Sequence, residues 1–254
     1  MVAFYSNPRL PARVAGGKQL NALTREMRFV IHSMNPFDYH IEPATTEDNI
    51  KDALRRLRPS IVVFSAHSAG NHLIIENDDG SHRRITADTF ATMLSDSYHG
   101  SKRTLLCVVI LACDTSRLGQ MIFDAFDGEC VVICWKSVLV HDTAAAKFAM
   151  GFLQNVTDQL NDGTTESTIE LDVHAAFDAA CRAYKDAGYS FGDPKEWVDG
   201  GYEPRDIPVY GTPALIEHGT MVLPRNVRTL HPASGEELLA SQVANMSLVH
   251  HRTW

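Results

Sequence analysis

A histidine and a cysteine each follow a predicted buried strand, and together they could carry out nucleophilic chemistry. His67 comes shortly after the apolar run Ile61–Phe64, and Cys113 comes shortly after Leu105–Leu111. A cysteine protease needs a thiolate nucleophile, a histidine that accepts and returns a proton, and donors for the oxyanion. A simpler interpretation competes, because a cysteine beside an apolar strand is usually a buried core residue. A lone histidine after a strand is likewise more often structural.

The elements that must position these residues alternate between strands and helices. This alternation predicts an α/β fold with a doubly wound, mostly parallel sheet of about six strands and helices on both faces. Sites in such sheets lie at the carboxyl ends of the strands, so His67 and Cys113 are expected on adjacent parallel strands, facing one cleft. The other predicted strands are Val2–Ser6, Asp38–Glu42 and Val131–Trp135. The first predicted helix carries Leu20, Leu23, Met27, Val30 and Ile31 on one face. The second begins at Thr45 or Thr46 and ends before Pro59. The other four run from Thr86 to Leu94, from Thr115 or Ser116 to Phe126, from Asp142 to Leu160 and from Thr168 to Tyr184.

Two further segments have distinct patterns. Leu73–Ile75 and Arg83–Ile85 flank an Asp79-Gly80 pair, which predicts a β-hairpin. After Tyr189 the helical periodicity fades, and we expect this last part of the chain to be mostly ordered and packed on the core. Its predicted elements are a final strand at Ile207–Tyr210 and a helix at Glu236–Met246, with Trp197 and Tyr202 as anchors of the connecting segment. The predicted division is a main domain over 1–213 and an extension over 214–254 packed on it.

Composition narrows the possible partners. The 254 residues carry a formal net charge of −8, with 44% hydrophobic and 21% charged residues, which opposes non-specific binding to nucleic acids or anionic membranes. No run of about 18 apolar residues is present, and the first residues lack the pattern of a secretory signal. The odd number of cysteines, five, favours reduced thiols and a cytoplasmic protein.

Several sequence boxes, in order from Val2 to about Gly211, resemble the CHAT family of caspase-like cysteine proteases, and most closely its effector-associated bacterial type. The boxes are Phe4-Tyr5-Ser6-Asn7-Pro8, the Thr46–Leu54 segment, Pro59–Ser68 with its Ser-Ala-His-Ser core, Leu111–Ser116 around Ala112-Cys113, Val131–Trp135 followed by Asp142–Phe148, and Tyr210-Gly211-Thr212-Pro213. The resemblance implies a caspase-like peptidase fold and no cofactor.

The resemblance also implies roles for individual residues. His67 would be the base, Cys113 the nucleophile, and the backbone N–H groups of Ser68 and Cys113 the oxyanion donors. The chain departs from the family pattern at Ala66 and Ser68, where glycine is usual, and at Leu111, where asparagine is usual. These departures keep open an alternative, a CHAT-fold module that binds a partner protein without catalysis.

Four further residues could contact a substrate. Trp135, Lys136 and Ser137 follow a strand on which caspase-like enzymes bind the substrate backbone as an added strand, although Trp135 fits a core position equally well. Asp142 is most simply a helix-capping residue, with the substrate cleft as the alternative. The histidines show no metal-ligand spacing, and Gly16-Gly17-Lys18 lacks the full phosphate-loop pattern. The expected partners are a protein or peptide substrate and a separate sensor or regulatory protein, with the oligomeric state left open.

Overall fold

The computed structural model describes residues 1–10, 19–33, 39–69, 72–138, 140–162, 171–203 and 206–228. The predicted helix at Glu236–Met246 lies outside these residues.

A seven-stranded sheet forms the centre of the described fold, in the order β10-β9-β8-β7-β3-β1-β2. Its strands are β1 Val2–Tyr5, β2 His40–Pro43, β3 Ile61–Ser65, β7 Cys107–Leu111, β8 Val131–Trp135, β9 Pro213–Glu217 and β10 Thr220–Val222. Strands β2, β1, β3, β7 and β8 pair in parallel. Strand β9 pairs antiparallel with both β8 and β10. The predicted α/β class with a mostly parallel sheet is confirmed.

Helices cover both faces of this sheet because its inner strands are apolar on both sides. The helices are α1 Leu23–Ser33, α2 Glu47–Leu57, α3 Ala87–Tyr98, α4 Ser116–Ala125, α5 Asp142–Asp162, α6 Val173–Asp186 and α7 Pro194–Asp199. One face packs on α2, α3 and α4 around Phe64 and Phe90. The other packs on α1, α5 and α6 around Trp135, Phe148 and Tyr184.

A three-stranded antiparallel sheet branches off after β3. It consists of β4 His67–Ala69, β5 His72–Glu76 and β6 His82–Thr86 in that order. The hairpin predicted around Asp79-Gly80 is confirmed by the pairing of β5 with β6. His67 is therefore the first residue of β4, not the last residue of a strand in the central sheet.

Local signals place most helix ends correctly. Thr46 caps α2 in a reciprocal capping box with Asn49. Asp172 caps α6, so that helix begins at Val173, later than the sequence predicts. On α1, Ile31 is exposed although the periodicity assigned it to the apolar face. Glu26, in contrast, is one of the buried residues of this helix.

The predicted final strand at Ile207–Tyr210 is wrong. The backbone of Tyr210 instead forms single hydrogen bonds with Ser190 and His141, so this segment belongs to no ladder. Pro208 lacks the N–H group that a central strand would need.

The strand that pairs with β8 comes later, as Pro213–Glu217, and the chain turns back at His218-Gly219 into the edge strand β10. Both turn residues have positive φ, 48° and 70°, as a type I′ hairpin turn requires. The sequence gives no clear signal for this turn, because His218 occupies the position where asparagine or aspartate is usual.

Trp197 and Tyr202 contact each other edge to face, with ring centroids 4.9 Å apart. The short helix α7 contributes no buried residue, and Tyr202 is exposed. The two aromatic residues, predicted as anchors of the connecting segment, therefore pack on one another near the surface.

Candidate active site

Strands β3 and β7 bring the two candidate catalytic residues to the same edge of the sheet. The strands pair in parallel with Ser65 opposite Leu111, and the pairing continues where Ala66 N–H donates to the Leu111 carbonyl at 3.4 Å. His67 follows directly after this last contact and Cys113 lies two residues beyond Leu111. The predicted adjacency of the two strands is confirmed.

Ser68 links the two loops directly. Its hydroxyl donates a hydrogen bond to the backbone carbonyl of Cys113. Ser68 lies in the extended strand β4, and neither Ser68 nor Ala66 is among the described non-glycine residues with positive φ. The positions where the CHAT pattern has glycine therefore adopt ordinary backbone conformations here, and the serine and alanine introduce no backbone strain.

The loop that carries Cys113 is fixed to the end of β8. Asp114 N–H donates to the Ser137 carbonyl at 2.8 Å, and Thr115 N–H donates to the Trp135 carbonyl at 2.9 Å. In return Trp135 N–H donates to the Thr115 hydroxyl at 3.1 Å. Asp114 has φ of 48°, a conformation that aspartate tolerates better than most residues. The Thr115 hydroxyl also donates to the Ala112 carbonyl at 3.0 Å, and it makes no capping bond to α4.

Cys113 differs from the other four cysteines in its exposure. It is half-buried, whereas Cys107, Cys130, Cys134 and Cys181 are buried. Burial raises the pKa of the Cys113 thiol, and the charges of Asp114 and Asp193 raise it further, while backbone hydrogen bonds from Val140 and from Cys113 itself lower it. The free thiol is thus protonated near neutral pH and needs a base to become a nucleophile.

The three predicted substrate-binding residues at the end of β8 differ in how far their side chains are buried. The Trp135 side chain is completely buried against Phe148 and Tyr184. Lys136 is exposed, and its N–H donates to the Thr212 carbonyl at 3.0 Å. Ser137 is buried, so of these three side chains only that of Lys136 is open to a substrate.

Ser137 connects this loop to two distant segments. Its hydroxyl accepts from Thr212 N–H at 2.8 Å and donates to the Gly192 carbonyl at 3.4 Å. The next residue, Val138, donates its N–H to the Asp193 carboxylate at 2.8 Å. These backbone groups are already paired within the chain, so the role of Ser137 in the structure is to hold the loop in place.

Asp142 begins α5, and both of its carboxylate oxygens accept backbone hydrogen bonds. One accepts from Asn21 N–H at 3.0 Å and the other from Thr143 N–H at 2.7 Å. The carboxylate therefore joins the start of α5 to the segment before α1.

A buried acidic residue near this edge was missed in the sequence. Glu26 is 2% exposed, and the Ser65 hydroxyl donates to its Oε1 at 2.6 Å. The available signal was its spacing, because Leu23, Glu26 and Val30 are the buried positions of α1 and an acid in an apolar stripe is unusual.

The described residues contain neither a metal-binding cluster nor a membrane-spanning helix. No group of three or more His, Cys, Asp or Glu side chains in this part of the chain could hold a metal ion. No helix among the same residues is long and apolar enough to cross a membrane.

Two solved structures have a similar backbone arrangement. A secreted C11 cysteine protease from Bacteroides thetaiotaomicron, solved in complex with an irreversible peptide inhibitor, aligns at 10% identity over 85% of this chain, with a TM-score of 0.46. The chain spans 65% of the length of that protease. Caspase-1 from Spodoptera frugiperda aligns at 11% identity over 85% of each chain, with a TM-score of 0.49. No protein-family model and no curated protein sequence matches the chain. These likenesses concern the backbone alone and assign no activity to this chain.

Proposed function

We propose that this chain is a cysteine endopeptidase of the caspase-like CHAT type that hydrolyses peptide bonds in a partner protein as a regulated effector. The observation that carries the proposal is the meeting of two loops at one sheet edge. The loop of His67 and the loop of Cys113 leave adjacent parallel strands, and the Ser68 hydroxyl bonds the Cys113 carbonyl.

In the proposed reaction His67 removes the proton from Cys113 Sγ, and the thiolate attacks the carbonyl carbon of the scissile peptide. The C–N bond then breaks as the imidazolium returns its proton to the leaving amine. Water, deprotonated by His67, hydrolyses the resulting thioester and restores the free thiol. The raised pKa of the Cys113 thiol makes this assistance by a base necessary.

The oxyanion donors in this proposal are the backbone N–H groups of Ser68 and Cys113. The link between the Ser68 hydroxyl and the Cys113 carbonyl supports it, since this bond holds the two residues side by side. A preorganised pair of donors stabilises the developing charge without reorganisation during the reaction.

Lys136 is the proposed substrate contact at the end of β8 because it is exposed there. Trp135 and Ser137 support the site indirectly, since their backbone carbonyls hold the residues that follow Cys113. Asp142 is engaged with the segment before α1 and is not part of this proposal.

A thiol-reactive peptide probe tests the assignment. We expect labelling of Cys113 that is lost in His67→Ala and retained in His174→Ala, a change at an exposed histidine on α6. Equal labelling of the wild-type protein and His67→Ala would refute the dyad. A substrate library would then identify the residue preferred at the cleavage site.

The second candidate is a CHAT-fold module that binds a protein partner without turnover. It is favoured by the raised pKa of the Cys113 thiol and by the paired backbone groups around Lys136 and Val138. Binding of the same partner by wild-type protein and Cys113→Ala, with no cleavage by either, would favour the module.

Regulation by a separate sensor protein and a cytoplasmic location are further proposals. Co-purification of a tagged chain from its native cells, followed by mass spectrometry of the soluble fraction, tests both. A chain recovered only from outside the cell would exclude the cytoplasmic location.

A further inference from the structure

A cluster of buried polar groups lies below the carboxyl ends of β1 and β3. It contains the Glu26 carboxyl group on α1 and the Ser65 hydroxyl, which are joined by a hydrogen bond of 2.6 Å. The Ser6 hydroxyl is buried at the same strand end, with no hydrogen-bonding partner among the described residues. The Tyr5 hydroxyl is also buried, close enough to Glu26 to lower the pKa of its carboxyl group. Burying a carboxyl group in an apolar core is costly, so its place in this fold calls for an explanation.

The position of Ser65 relates this cluster to the proposed dyad. Ser65 ends β3 two residues before His67, and it pairs with Leu111, which lies two residues before Cys113. Ser65 and Leu111 thus form the last paired layer of the two strands before the catalytic loops begin. A displacement of Ser65 would move the turn into β4, whose first residue is His67.

The Glu26 carboxyl group also changes its charge in a useful pH range. Burial raises its pKa to about 7, against the opposing effect of the Ser65 and Tyr5 hydroxyls. Burial, followed by the proximity of Glu26, raises the pKa of Tyr5 well above its ordinary range, so the phenol keeps its proton.

The other charged groups near α1 belong to its neighbour α5 or to α1 itself. Arg25 and Lys147 line the groove between the two helices, and Asp142 accepts a bond from Asn21. Within the described residues none of these three bonds to Glu26. Ser65 bonds Glu26 and also lies next to the loops of the candidate site.

We propose that Glu26 is a positioning residue whose ionised carboxylate holds Ser65 and, through it, the turn that carries His67. A hydrogen bond to an ionised acceptor is roughly twice as strong as one between neutral groups. Loss of the Glu26 proton therefore tightens this turn and raises the reactivity of Cys113. The catalytic consequence rests on the proposed peptidase function, whereas the link between Glu26 and Ser65 does not.

The test is the rate of alkylation of Cys113 by iodoacetamide between pH 5.5 and 8.5, measured by peptide mass spectrometry. All variants should react faster as the pH rises, because the thiolate fraction of Cys113 grows. Wild-type protein should show an additional rise near pH 7 that Glu26→Gln lacks, so that the rate of the variant at pH 8 is lower roughly fivefold to tenfold. Tyr5→Phe removes a hydroxyl that stabilises the carboxylate, so the rise should move to higher pH. Ser65→Ala removes the link between Glu26 and the turn, so the rise should be lost. Glu196→Gln, at an exposed position on α7, is the matched control and should follow the wild type.

A double-mutant cycle separates positioning of His67 from a general effect on the fold. If Glu26 acts through His67, adding Glu26→Gln to His67→Ala should change the alkylation rate no further. A folded Glu26→Gln protein with the wild-type profile, or an unchanged profile in Tyr5→Phe and Ser65→Ala, would overturn the proposal. Alkylation needs no peptide cleavage, so an inactive protein that still shows the Glu26-dependent rise would refute the peptidase while supporting this inference.

Discussion

The hydroxyl of Ser68 donates a hydrogen bond to the backbone carbonyl of Cys113 and so joins the two loops that hold the candidate dyad. The residue thus does what glycine could not do at this position, because glycine has no side chain. The residue that differs from the CHAT pattern thus supplies a contact between the two halves of the candidate site.

Removal of that hydroxyl should loosen the site. We expect Ser68→Ala to lower the free energy of unfolding by about 1 kcal/mol and to slow peptide cleavage roughly tenfold to a hundredfold. Urea unfolding and steady-state kinetics measure the two effects. Ser95→Ala removes a hydroxyl that bonds only within α3 and serves as the control; equal kinetics for Ser68→Ala and this control would contradict the role given to Ser68.

The proposed catalytic pair makes a direct prediction. Cys113→Ala and His67→Ala should each lower peptide cleavage roughly a thousandfold or more while the thermal unfolding transition is retained. Cys181→Ala and His174→Ala, on α6, are the comparison variants and should keep their activity. Cleavage at the wild-type rate by Cys113→Ala would exclude it as the nucleophile.

The cysteines should differ sharply in reactivity. One thiol, that of Cys113, is half-buried and four are buried, so a thiol reagent should modify Cys113 first in the native protein and all five in denaturant. Because burial raises the pKa of this thiol, His67→Ala should remain nearly unreactive at pH 7 and gain reactivity only as the pH becomes alkaline. Rapid modification of two or more thiols in the folded protein would contradict the described burial.

Glu26 predicts the dependence of stability on pH. Its pKa is raised from 4.5 to about 7 in the folded protein, so between these values the folded state binds the proton more tightly than the unfolded state. Its contribution is therefore most favourable below pH 4.5 and declines as the pH rises towards 7, by up to about 3 kcal/mol. Denaturant titrations at several pH values should show this decline in wild-type protein and a flatter curve in Glu26→Gln. An identical decline in both proteins would assign the effect to other groups.

Gly192 lies where the segment after α6 contacts the loop after β8, since its carbonyl accepts a bond from the Ser137 hydroxyl. A Cβ atom there would lie 2.6 Å from Val209 Cγ1 and 2.7 Å from the Arg228 carbonyl oxygen. We therefore expect Gly192→Ala to cost about 3 kcal/mol of unfolding free energy, from overpacking as well as backbone strain. Gly188 has φ of 88° but open space around it, so Gly188→Ala isolates the backbone term at about 1–2 kcal/mol. Equal losses in both variants would show that crowding at Gly192 is relieved at no cost.

Local patterns were sufficient to predict much of the fold. The apolar runs at β3, β7 and β8 indicate buried parallel strands, Thr46 indicates the start of α2, and Asp79-Gly80 indicates a hairpin. Each of these signals depends on residues close together in the chain. The sequence likewise predicted that His67 and Cys113 lie at the same edge of the sheet, because the carboxyl ends of neighbouring parallel strands share an edge.

Long-range contacts decided what these patterns left open. Ile207–Tyr210 has the alternation of a strand, but its backbone bonds to Ser190 and His141, while Pro213–Glu217 takes the place beside β8. The sequence showed Glu26 only as one acid within a helix; the packing of α1 on β3 buried it against Ser65. Trp135 became a core residue whose backbone holds Thr115 because β8 runs between β7 and β9. The sequence by itself thus determined which residues could do chemistry and roughly where the strands end, whereas burial, register and hydrogen-bonding partners depended on the free energy of packing residues that are distant in the chain.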